Sequence, residues 1–160
     1  MAYSVDDLRN IVLIGHGGSG KTTLVESMLF KTGATTRRGS VDEGTAVADF
    51  SQEERERKNS IDAASVHFSF KGKEFNVIDA PGYPDYFGQV ISSLPAVETA
   101  VLVVSAVNGV ELNTIRTWNA ARKAGLAGLV IINRMDGDNI DLDSVISAVK
   151  EAVGVSCVPF

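Results

Sequence analysis

The sequence predicts an α/β fold, a three-layer sandwich whose sheet is mostly parallel with one antiparallel strand. Three observations carry that prediction. Short apolar runs alternate with longer stretches of helical spacing along the 160-residue chain, which is the pattern of strand–helix–strand units. Several of these runs, such as Ile11-Val-Leu-Ile14, are apolar without alternation, as strands buried on both faces are. One pair of runs is separated only by Lys71-Gly-Lys73, too short for a crossover, so those two strands must be antiparallel.

In chain order, Asn10 to Ile14 reads as the first strand and Thr22 to Phe30 as a helix. A polar stretch from Gly33 to Ser60 follows, too long for an ordinary connection. Ala64 to Phe70 and Glu74 to Ile78 form the alternating hairpin. Thr99 to Ser105, Gly128 to Ile132 and Ser156 to Pro159 supply further strands. Helical spacing covers Leu112 to Ala124 and Leu142 to Val153. No internal repeat or low-complexity segment interrupts this order.

Chemistry concentrates at the ends of three strands. Gly15-His-Gly-Gly-Ser-Gly20-Lys21-Thr22-Thr23 follows the first strand and opens a helix, which fits the phosphate-binding pattern G-x-x-x-x-G-K-[ST]. Glycines at Gly15, Gly17, Gly18 and Gly20 allow successive N–H groups to turn inward around a phosphate chain, with His16 and Ser19 completing the loop. The helix N-terminus adds its positive end. Lys21 is placed to reach the terminal phosphates and Thr22 to offer its hydroxyl to Mg²⁺. The second signal is Phe75-Asn-Val-Ile-Asp79-Ala-Pro-Gly82, where Asp79 can hold a water of the same ion and Gly82 can approach a γ-phosphate. The third is Asn133-Arg134-Met-Asp136, in which a carboxylate can accept from the N1–H and 2-amino group of guanine. Adenine lacks both donors, and an unpaired buried acceptor rejects it. The three signals in this order imply GTP or GDP as ligand.

Composition bounds the rest. The length suits one domain with a sizeable core. No apolar run reaches membrane-spanning length, and the N-terminus lacks a basic-then-apolar leader, so a cytoplasmic protein without a membrane partner is expected. The single cysteine, Cys157, has no disulfide or metal-spaced partner in the chain. A net charge of −5 argues against gripping nucleic acid by charge alone, and no sequence-specific nucleic-acid contact is expected.

On these motifs the chain resembles the G domain of elongation factor G and its elongation factor G-like paralogues among the translational GTPases. The resemblance runs through Gly15 to Thr22, Asp79-Ala-Pro-Gly-Tyr-Pro-Asp-Tyr86, Val97 to Glu111 and Asn133 to Asp136, nearly the whole chain in one register. It implies GTP hydrolysis with Mg²⁺ and, for the full-length protein, action on the ribosome. A release-factor or ribosomal-protection GTPase is the neighbouring alternative. The resemblance further implies that the polar stretch is a first switch segment, with Ser60 in the place of a Mg²⁺-ligating Thr; a solvated charged helix is the other reading of the charged run from Asp49 to Ile61.

Four positions depart from the family pattern. Tyr83 stands where elongation factor G has the His that positions the attacking water. A phenol does not exchange protons near neutral pH as an imidazole does. It can still orient a water, or simply rest on the switch surface as an amphipathic ring. Arg134 replaces the usual Lys, keeping an aliphatic stem for the base plane, and Gly18 replaces a frequent Asp beside the phosphates. Ser60 keeps the ligand oxygen without the methyl. The expected catalytic set is therefore Lys21, Gly82 and Tyr83, with slow turnover or a nucleotide-dependent latch as its consequence. The metal set is Thr22, Ser60 and Asp79. His16 is expected to be scaffold, His67 to face solvent and Trp118 to be packing. The chain also ends ahead of the family's last base-contacting segment, so a truncated domain, a weak guanine pocket and self-association are expected.

Overall fold

Five strands are laid down in an order that puts the glycine loop at the centre of one sheet edge. The computed structural model describes residues 3–154 and 157–158. The strands are β1 (Leu8–Ile14), β2 (Ala64–Phe70), β3 (Lys73–Asp79), β4 (Thr99–Ser105) and β5 (Ala127–Asn133). Their order across the sheet is β2-β3-β1-β4-β5. β1 runs parallel to both β3 and β4, β4 runs parallel to β5, and among the described residues the β2–β3 hairpin is the one antiparallel strand pair. The C-terminal ends of β1, β3 and β5 therefore open on the same edge, which is where ligands settle in sheets of this kind.

Each face of the sheet has its own core, because alternate residues of a strand point to opposite sides. Leu13, Val77, Val101 and Val103 meet Val25 and Leu29 of helix α1 (Lys21–Lys31) on one face. Val12, Ile14, Leu102 and Val104 meet the other helices on the opposite face. These helices are α3 (Phe87–Ser93), α4 (Leu112–Lys123) and α5 (Leu142–Val153). Trp118 is buried as expected, its indole N–H donating to the Val153 carbonyl at 3.3 Å. His67 is exposed on the outer strand, also as expected.

The sequence-derived strands and helices recur with ends shifted by at most two residues, and Thr99–Ser105 and Leu142–Val153 fall where they were expected. The strand expected at Ser156 to Pro159 lies partly outside the described residues, and Cys157 and Val158 take no strand conformation. Two helices are additional. α3 was hidden by Gly88 and by Ser92 and Ser93, weak helix formers, although Phe87, Val90, Ile91 and Leu94 keep helical spacing behind Pro84. The second, α2 (Gln52–Arg57), sits inside the polar stretch. Ser51 and Glu54 cap it reciprocally, and the exposed Arg57–Glu53 pair at 2.7 Å adds little. The polar stretch thus contains a short charged helix, although Glu54 on it is buried rather than solvated.

Candidate functional site

The loop from Gly15 to Gly20 needs its glycines for geometric reasons. Gly15, Gly18 and Gly20 have φ of 137°, 77° and 92°, and Gly20 caps α1 from the left-handed region. Gly17 lies under the Tyr83 ring, whose nearest carbon is 2.8 Å from where a Cβ would sit. Gly82 presses on the loop from the other side, its missing Cβ only 2.5 Å from the backbone of His16 and Gly17. Any side chain at Gly82 would drive the two loops apart.

Lys21 is buried and folds back on this loop, donating to the carbonyls of His16 at 2.8 Å and Gly15 at 3.3 Å. Burial pulls its ammonium down to about 8, opposed by the nearby Asp79 carboxylate. An incoming anion would hold the charge on it. Beside it, Thr22 Oγ1 donates to Asp79 Oδ2 at 2.6 Å and lies 3.0 Å from Ser60 Oγ, while Ser60 donates to Asp49 Oδ1 at 2.7 Å. Burial pushes the Asp79 carboxyl up to about 6, against the Thr22 hydrogen bond and Lys21. Burial also raises Asp49. Among the described residues, Asp79 Oδ1 is buried with no hydrogen-bond partner. An oxygen-only donor set with one unsatisfied carboxylate atom suits a hard divalent cation.

Two buried carboxylates hold the polar stretch over this cluster. Glu26 on α1 accepts from the backbone N–H groups of Gly39 at 3.1 Å, Val47 at 2.7 Å and Ala48 at 3.2 Å. Glu54 on α2 accepts from Ser51 at 3.0 Å, Ile61 at 2.9 Å and Asp62 at 3.1 Å. Burial pushes Glu54 up, but these backbone donors outweigh it and hold its carboxyl below the usual range. The result is a cavity of ≈ 280 Å³ walled by the glycine loop, Lys21 to Thr23, residues 38–42, residues 58–60, Gly82, Tyr83 and Arg134.

Sequence-predicted residues divide into three groups. Gly17, Gly18, Gly20, Lys21, Thr22, Thr23, Ser60, Gly82, Tyr83 and Arg134 line the cavity. Gly15, His16, Ser19, Asp79 and Asn133 stand behind it. His16 is fully buried, with Nδ1 3.1 Å from Thr114 Oγ1; Asn133 donates to the Ser19 carbonyl at 2.9 Å. Asp136 is exposed and forms no part of the wall. Arg134 takes φ of 57°, which turns the chain sharply between Asn133 and Asp136. Sequence reasoning missed Arg38, Asp49 and Glu26. No local pattern marks them, since their roles depend on how the polar stretch lies across α1.

Residues 6–157 match the family described as the Elongation factor Tu GTP binding domain. The chain belongs to that family. It is 38% identical over 144 residues to Elongation factor G 2 of Streptomyces coelicolor, covering 90% of this chain and 21% of that protein. It is 37% identical over 153 residues to the mitochondrial Ribosome-releasing factor 2 of Culex quinquefasciatus, covering 96% of this chain and 20% of that protein. A solved chain from Thermus thermophilus superposes with a TM-score of 0.87 at 36% identity, over 91% of this chain and 22% of that one. The chain thus spans about a fifth of the length of the curated relatives it matches. The resemblance to elongation factor G-like GTP-binding domains holds over nearly the whole chain, as does the expected P-loop fold. Among the described residues, no helix is long and apolar enough to cross a membrane.

Proposed function

We propose that the chain binds GTP and GDP with Mg²⁺ and that, in a protein of the relatives' length, it hydrolyses GTP on the ribosome. The single observation that carries this reading is the cavity itself. Its glycine loop, buried Lys21 and Thr22–Ser60–Asp79 oxygen cluster meet at the N-terminus of one helix. Backbone N–H groups of the loop and the Lys21 ammonium take the phosphates. Thr22, Ser60 and Asp79, with Asp49 behind Ser60, would hold the cation. The cation, when bound, neutralises charge on the phosphate oxygens. Gly82 presents the γ-phosphate end, Arg134 covers the base plane with its stem, Asn133 fixes the loop and Asp136 reads guanine. His16 acts as scaffold.

Hydrolysis on this reading is positioning and charge stabilisation, which is most of what phosphoryl transfer requires. Tyr83 lies on Gly17 at the cavity wall, 41% exposed, and would orient a water without accepting its proton. That placement also favours a second reading, a GTP-dependent conformational latch with negligible turnover. The ribosome-releasing relative points to the ribosome as partner. Single-turnover GTP conversion by the chain, beside Tyr83→His, separates the two. Slow turnover that rises in the variant supports the enzyme. No turnover in either, with tight triphosphate binding, supports the latch.

A further inference from the structure

Two buried groups of the first turn of α4 have no place in the chemistry above, yet they touch both loops that face the γ-phosphate. Asn113 is 7% exposed, and its Nδ2 donates to the Gly82 carbonyl at 2.7 Å. Its Oδ1 is buried without a partner among the described residues. That fixes the amide's orientation, since turning it over would set two oxygens against each other. One residue on, Thr114 Oγ1 accepts the Glu111 N–H at 3.3 Å and meets His16 Nδ1 at 3.1 Å. The Glu111 carboxylate stands 3.4 Å from His16 Nε2. Burial holds His16 below the ordinary histidine range, opposed by Glu111.

A single helical turn therefore grips the phosphate loop through His16 and the Gly82–Tyr83 peptide through Asn113. Gly82, a glycine, has no side chain to wedge it in place. Its backbone packs against His16 and Gly17 on one side. The Asn113 bond restrains its carbonyl from another.

We propose that Asn113 is a positioning residue for the triphosphate. By holding the Gly82 carbonyl, it fixes the Gly82–Tyr83 peptide at the cavity wall and so sets the preference for GTP over GDP. This rests on the reading of the cavity as a guanine-nucleotide site. A diphosphate does not reach the Gly82 segment, so its affinity does not depend on Asn113. The Thr114–His16 contact keeps the same turn in register with the phosphate loop, so both nucleotides depend on it alike.

The test is parallel titration of fluorescent GDP and a non-hydrolysable GTP analogue against the 160-residue chain, Asn113→Ala and the near-isosteric Asn113→Asp. Urea unfolding midpoints are measured alongside. Both variants should lower affinity for the GTP analogue by about tenfold, the scale of one lost buried hydrogen bond. GDP affinity should stay within about twofold. Equal losses for both nucleotides, tracking a lower unfolding midpoint, would show a merely structural residue and overturn the proposal. So would an unchanged or increased preference for the triphosphate. If one variant does not fold, the other decides. If the unsubstituted chain binds neither nucleotide, the reading of the site falls and this proposal with it; normal binding with an unmoved ratio overturns this proposal alone.

Discussion

The phosphate end and the base end of the cavity are built differently. At the phosphate end Lys21, Thr22, Asp79 and Asp49 are buried and held by hydrogen bonds of 2.6–3.3 Å to neighbouring side chains and carbonyls. At the base end Asn133 alone is anchored, to Ser19, while Arg134 and Asp136 stand in solvent. A preorganised group loses little freedom on binding, whereas an exposed one must be ordered and is screened by water. On the proposed reading, affinity is concentrated at the phosphates, and guanine selectivity rests on Asp136, whose surroundings are open.

The sharpest way to break this asymmetry is Lys21→Ala. It removes the buried cation and should lower GDP affinity by about a hundredfold or more, read by titration. The same variant should not unfold the chain, because it also removes a buried charge that burial already disfavours. Asp136→Ala should cost less, about tenfold in GDP affinity, with ADP unaffected, since its hydrogen bonds form in a solvated setting. A loss at Asp136 as large as that at Lys21 would reverse the comparison.

Glu54→Gln tests the lid over the phosphate end. An amide cannot accept from all three backbone N–H groups that Glu54 now holds. The expected cost is about 1–3 kcal/mol, with faster hydrogen exchange across residues 51–62 in nucleotide-free protein. Acidity offers a further test. Asp79 is raised from 3.8 to about 6, so between those values the folded chain keeps a proton the unfolded chain has lost. Stability of the nucleotide-free chain should therefore fall as pH rises through that window, and Asp79→Asn should flatten the dependence in denaturant titrations.

Legibility in the sequence follows the same division. The strands, α1, α4 and α5 could be read because unbroken apolar runs and helical spacing are local signals. α3 could not, since Gly88 and two serines mask the spacing that packing later uses. At the site, the glycine loop, Lys21, Thr22, Asp79 and Gly82 were legible because their spacing is dictated by backbone geometry around a phosphate. Ser60 was legible only through the family register. Asp49, Glu26, Arg38 and Asn113 were not, because each acts across a tertiary contact. Glu26 lies in the middle of a helix, where an acid ordinarily marks the solvent face; here it is fully buried and holds a segment that starts 13 residues later.

Calorimetric titration of the chain with Mg²⁺-GDP and Mg²⁺-ADP in parallel addresses the nucleotide assignment without intermediaries. GDP should bind at least about tenfold more tightly than ADP, with Asp136 supplying the difference and the phosphate end supplying most of the affinity. Equal binding of both nucleotides would contradict the assignment of Asp136, and binding of neither would contradict the cavity as a nucleotide site in this chain.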